Sequence, residues 1–297
     1  MPRPIACSIG RGASRGFCSF AAAAGRGSRP RKSAYPKKQN DNHERVSRTE
    51  TPGRDLPMLD QALTALRTFD WGDDPELLRS IDEEVVACHG DEARRAALEQ
   101  KLLAALERDL SRDAVDYVCR HLGRIGSAVS VPVLAAMLSD EQKSHMARFA
   151  LEQIPVSEAV AALRAALPKL TGSLQVGVIG SLGTRADAAS VSALAALLRS
   201  DDEAIARAAA SALGNIRTAS AAQALTRTDA NPAAESSVAA AMLACAEGLL
   251  AAGENAKARE LYTHLSGAKR AKHVQLAALR GRLMCDGNRS VKTAAAR

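Results

Sequence analysis

Leucines in helical phase recur along this chain at a nearly constant interval. Leu122, Leu151, Leu182, Leu213, Leu249 and Leu279 follow one another at gaps of 29, 31, 31, 36 and 30 residues. About twelve residues after each of the first five stands another: Leu134, Leu163, Leu194, Leu225 and Leu261. The stretches HLGRIGSAVSVPVLAAML (121–138) and SLGTRADAASVSALAALL (181–198) share the run A-x-S-V-x-x-L-A-A-x-L in the same place. A fixed period of about 30 residues is the mark of a repeat architecture, each unit being one supersecondary motif. Apolar spacing of three and four predicts two helices per unit, joined by short polar turns.

Turn chemistry is expected to punctuate the units. Ser139-Asp-Glu-Gln142 and Ser200-Asp-Asp-Glu203 match the S-x-x-E/Q capping box just ahead of predicted second helices. Asn231-Pro232 reads as an N-cap followed by proline in the first turn. Gly123, Gly183 and Gly214 each follow an anchor leucine, where a helix end can use a left-handed residue. Amphipathic helices are expected over 75–88 and 92–108, forming an opening unit with 111–123. The 36-residue gap before Leu249 predicts a longer helix over 232–251.

The fold class that follows is all-α: a right-handed superhelical solenoid of about six antiparallel helix pairs over 58–297. ALGNI (212–216), AIARAAASALG (204–214) and SVPVLAAMLSD (130–140) resemble HEAT repeats, in the short bacterial form also found in phycobilisome-lyase-type proteins. The resemblance extends over about 75–285 and is strongest at 121–216. It implies a ladder arginine at Arg207 with Asp201 or Asp202 as its acid; the other units carry Asp116, His145 or Val176 there, so the ladder is incomplete.

Composition supports thin helical layers. Hydrophobic residues make up 46% of the 297 but aromatics only 3%, so the core relies on Ala and Leu. The net charge of +7 is unevenly spread. Residues 1–57 hold 12 Lys/Arg against 4 Asp/Glu, 58–256 hold 18 against 27, and 257–297 hold 10 against 2. The body is therefore acidic and the C-terminal end basic. Residues 1–57 are rich in Arg, Gly, Ser and Pro and read as a disordered basic leader, an over-extended start or a targeting segment. Met58 is a plausible true start.

Candidate chemistry is sparse. Six cysteines (7, 18, 88, 119, 245 and 285) form no C-x-x-C pair, which fits reduced thiols in the cytoplasm better than a disulfide framework. Cys88-His89 and Cys119-x-His121 are one repeat apart, but Cys119 and His121 diverge on a helix, so the expectation is a buried thiol, an exposed histidine and no metal. Some HEAT-repeat enzymes hydroxylate a modified lysine at a di-iron centre held by His-Glu pairs; the sole such pair here is His43-Glu44, in the leader. Bilin lyases of the same class attach a chromophore, and no residue here stands out for that role. Trp71, in FDWGDDPE, is expected with Phe69 to plug the exposed end of the first helix pair. No apolar run approaches 18 residues, so no membrane span is expected.

These readings favour a non-catalytic scaffold, without cofactor, that binds another protein along the concave face of the solenoid. The alternatives are an enzyme subunit of the lyase or hydroxylase type, or nucleic-acid binding at the basic C-terminal end, which the acidic body disfavours. Lys269, Arg270, Lys272, Arg280 and Arg282 are the candidate partner-binding residues. They act either as an electrostatic clamp for an acidic partner or as a solvated cap.

Overall fold

The computed structural model describes residues 56–267 and 270–295, with side chains from Met58 to Gly287. All of these belong to one unit, Thr51–Arg297. The predicted leader lies outside the described residues except for its last two, because the first helix, α1, begins at Leu56 (Leu56–Ala65).

Every regular element among the described residues is helical. After α1 come a 3-10 turn at Pro75–Leu78, α2 (Arg79–Ala87), α3 (Glu92–Leu106) and α4 (Arg112–Ile125). Next are α5 (Val131–Ala136), α6 (Ser144–Gln153), α7 (Ser157–Ala166), α8 (Gly172–Thr184), α9 (Val191–Leu197) and α10 (Glu203–Ile216). Then α11 (Ala219–Arg227), α12 (Glu235–Ala251), α13 (Asn255–Leu265) and α14 (Lys272–Ala295) complete the order. Packing follows the predicted period. Helix α4 lies on α6, α6 on α8, α8 on α10, α10 on α12 and α12 on α14, while α5 meets α7 and α9 meets α11. The contacts named here all join elements near one another in sequence, as a stack of repeats requires.

The anchor leucines occupy the core. Leu122, Leu151, Leu182, Leu213 and Leu249 are buried, as are all five leucines of the second series. The shared A-x-S-V run has a physical basis in its serine: Ser130 and Ser190 are both buried. Ser130 donates to Glu99 Oε1 at 2.5 Å, and Ser190 donates to Asp187. Glu99 is itself buried and also accepts from the Ser127 amide at 2.7 Å and the Ser127 hydroxyl. These two turns are thereby pinned through a hydroxyl to a carboxylate, supplied by α3 in one case and by the turn itself in the other.

Several local expectations need correction. Neither serine caps the following helix: Asp202 caps α10, and α6 begins after Lys143 without a side-chain cap, Asp140 serving the turn before it. Asp140 accepts from the Gln142 and Lys143 amides, and Asp202 from Ala204 at 2.8 Å and Ile205 at 3.3 Å. Ser139 closes the preceding 3-10 turn, so its hydroxyl is not available to the next helix. Asn231 does cap, accepting from Ala233 at 2.9 Å, and its side chain also donates to Ser200 O one repeat earlier.

Gly123, Gly183 and Gly214 are helix-interior residues, not left-handed caps; Arg217, at φ 54°, takes the left-handed position after α10. The glycines serve close helix approach instead. A Cβ on Gly183 would stand 2.8 Å from the Ala212 Cα, and one on Gly214 2.8 Å from the Ala241 Cα. Backbone therefore meets backbone between successive second helices, which is why these positions carry no side chain.

Trp71 does not plug the first pair: it is 89% exposed in the turn ahead of α2. Phe69 alone turns inward, with its ring centroid 6.4 Å from that of Tyr117 on α4. Arg207 also departs from the ladder. It pairs with Glu203 one turn back and donates to Ala233 O, because Asp202 is engaged as the helix cap. Other arginines also reach carbonyls of neighbouring units: Arg148 donates to Gly177 O, and Arg185 to the oxygens of Glu152, Ile154 and Val156 around the C-terminal end of α6.

Helix 232–251 is the one stretch among the described residues apolar and long enough, by composition, to cross a membrane. Its Val238, Met242, Cys245 and Leu249 are buried, and it packs against α10, α13 and α14.

Candidate docking surface

Helix α14 has two apolar stripes. Val274, Ala278 and Cys285 are buried with Gly281 between them, and Gly281 lies so close to the Tyr262 ring of α13 that any Cβ would overlap it. On the opposite side Leu276, Leu279 and Leu283 are 66%, 50% and 65% exposed. Their spacing of i, i+3 and i+7 places the three side chains in one row. Leu279 is the sixth anchor of the repeat, the counterpart of five buried leucines. Unlike those five it is exposed, because it lies on the side of α14 opposite Val274, Ala278 and Cys285, where no described helix packs. Met284, half exposed, lies about a quarter turn around the helix from Leu283.

The predicted cationic residues divide around this helix. Lys269 lies outside the described residues. Arg270 precedes α14 and is three-quarters buried, ion-paired with Glu235 of α12 at 3.2 Å. It fastens α14 to the stack and is a poor candidate for a free clamp. Lys272, Arg280 and Arg282 remain, and among the described residues none of them is in an ion pair. By helical geometry Lys272 and Arg280 lie beside the leucine row, whereas Arg282 sits nearer the core boundary. Sequence reasoning selected the charges and missed the leucines, although a second set of leucines out of phase with Val274 and Ala278 was the available signal.

Elsewhere polar groups are largely committed to the fold. His121 is buried, not exposed. Its Nε2 is 3.1 Å from Asp82 Oδ1, its ring stands edge-on to Tyr117 at 4.4 Å, and its Nδ1 has no hydrogen-bond partner. Burial pushes its pKa down; Asp82 opposes that and Arg124 adds to it. The Tyr117 hydroxyl donates to Leu78 O, so the cluster ties α4 to the first elements. Cys88, Cys119, Cys245 and Cys285 are buried free thiols. Burial raises Cys119 to about 12 and Cys245 to about 11. Among the described residues no three of His, Cys, Asp and Glu converge in a way that could hold a metal ion. His43-Glu44 lies outside them.

A concavity of about 530 Å³ opens between α11 and α13, lined by Thr226, Arg227, Lys257, Glu260, Leu261 and His264. Its charges are mixed, and Lys257 is paired with Glu254. The second-helix row is similarly self-paired: Asp116 with Arg120 and Glu203 with Arg207. Its one large exposed apolar residue, Phe149, lies under the Arg120 guanidinium. The leucine row of α14 is thus the unpartnered apolar surface with the clearest pattern.

No family model matches this chain, and no curated protein matches it. Among solved structures, it is similar to human deoxyhypusine hydroxylase in complex with glycerol, over 78% of this chain and 97% of that one. The identity is 15% and the TM-score 0.32. At that level the likeness assigns neither a family nor an activity.

Proposed function

We propose that residues 58–297 form a right-handed HEAT-like solenoid of about six helix pairs and act as a non-catalytic interaction scaffold. The observation that carries this reading is the leucine row of α14. Three leucines in register lie exposed on α14, flanked by cations, and a row of this kind is what a docked partner covers. The docking surface in this reading is the C-terminal end rather than the concave face. Buried free thiols are consistent with residence in the cytoplasm.

The test compares proteins captured by the full-length chain with those captured by Leu279→Glu/Leu283→Glu. Both positions are at least half exposed, so circular dichroism should be unchanged. A partner retained by the wild type and lost by the variant supports docking through α14. Identical capture by both would remove the helix from the proposal.

A further inference from the structure

The leucine row raises the question of what covers it, and the opposite end of the stack offers a complement. Helices α1–α3 pack on one another, on α4 and, through Glu99, on the turn before α5. Residues 70–92 hold nine Asp/Glu against the single Arg79. Leu77, in the turn before α2, and Val86, on α2 itself, are each more than half exposed, and Glu83 lies in the same helical row as Val86. Arg79 is held between Glu76 and Glu83, Arg94 pairs with Glu84 and Arg95 with Glu92, so residues 70–95 hold nine Asp/Glu against three Arg and stay net negative. The far end has the reverse pattern: Leu276, Leu279 and Leu283 beside Lys272 and Arg280, within a C-terminal segment of ten Lys/Arg and two Asp/Glu.

We propose that the α14 row docks onto the acidic α2 end of a second copy of this chain, head to tail. The inference rests on the reading of α14 as a docking surface. Charge decides the orientation. A symmetric pairing centred on the two α14 rows would bring Arg280 of one copy close to Arg280 of the other, and like charges brought together cost affinity. Pairing α14 with α2 places apolar residues on apolar residues and cations on carboxylates. Such a contact is heterologous and does not close on itself at two copies, so it propagates into short linear chains. Steering by opposite charges also makes it sensitive to salt.

Sedimentation velocity on the full-length protein provides the test. The wild type should exceed its monomer mass of 31.2 kDa and grow with concentration without stopping at the dimer. Association should weaken roughly tenfold or more between about 0.05 and 0.5 M salt. Leu279→Glu/Leu283→Glu blocks one end and Leu77→Arg/Val86→Arg the other. Each variant alone should be monomeric. An equimolar mixture should yield a one-to-one dimer and nothing larger, because it retains one intact tail and one intact head. The leader is the same in all samples, so differences among them report the two ends. A second pair, Lys272→Glu/Arg280→Glu and Glu83→Lys, alters only exposed charges and should weaken association separately.

A wild type that stays monomeric at every concentration overturns the second copy as partner; the comparative capture experiment then decides the docking reading independently. Loss of association in the α14 variant without loss in the α2 variant overturns the acidic end as its target. A mixture of two monomeric variants that fails to dimerise has the same consequence.

Discussion

Gly214 of α10 lies against Ala241 of α12 so closely that a Cβ on the glycine would stand 2.8 Å from the Ala241 Cα. The obstacle is backbone, which cannot move aside without shifting a helix. Gly214→Ala should therefore destabilise the protein by about 1–3 kcal/mol, the usual cost of overpacking. Gly180, in the interior of α8, is the control: an added Cβ there meets nothing within 4 Å. Gly180→Ala should stabilise by about 0.5–1 kcal/mol, since alanine loses less backbone entropy in a helix. Urea denaturation of the two variants is expected to shift in opposite directions, and shifts of the same sign would count against the close-approach account.

Removing the Glu99 carboxylate should be more damaging than its place on the helical wheel suggests. Glu99→Ala leaves the Ser127 amide and two serine hydroxyls without their acceptor inside the fold. A loss of about 2–4 kcal/mol is expected. Hydrogen exchange should locate the new weakness at the turn before α5. Fast exchange confined to the chain termini would contradict this.

His121 should make the N-terminal end sensitive to acid. Its folded pKa is lowered by burial, so the unfolded chain binds the proton more readily. The neutral ring then contributes full stability above its unfolded pKa of about 6.5, and this contribution is lost as pH falls toward the lower folded value. Urea midpoints should fall between about pH 7 and pH 5, and His121→Gln should flatten that part of the profile. An unchanged slope in the variant would transfer the effect to other groups.

The thiols of Cys119 and Cys245 should resist alkylation at pH 8, because burial holds them protonated at about 12 and 11. Peptide-resolved mass spectrometry after iodoacetamide treatment is expected to show both unmodified in the native protein and modified in urea. Rapid native labelling of either one would mean that its helix opens readily.

Periodicity carried most of the architecture because a repeat encodes the same local problem several times over. Leu122, Leu151, Leu182, Leu213 and Leu249 each needed the same burial, so their spacing alone indicated helix pairs. What lies between repeats was less legible. Gly183 and Gly214 are interpretable only once the facing Ala212 and Ala241 are known, since a glycine after a leucine fits a helix end and a close contact equally well. The sequence places caps at Ser139 and Ser200, but Asp202 accepts from the open amides of α10 and Asp140 from those of the turn before α6.

At the C-terminal end the same limit applied to function. The sequence by itself determined that a sixth anchor, Leu279, exists and that cations surround it. Only the tertiary structure decided that this leucine faces outward and that Arg270 is tied to Glu235. The physical reason is that a periodic pattern specifies which face of a helix is apolar without specifying what covers it. Burial belongs to neighbours, and the neighbour of the last helix is not written in the repeat.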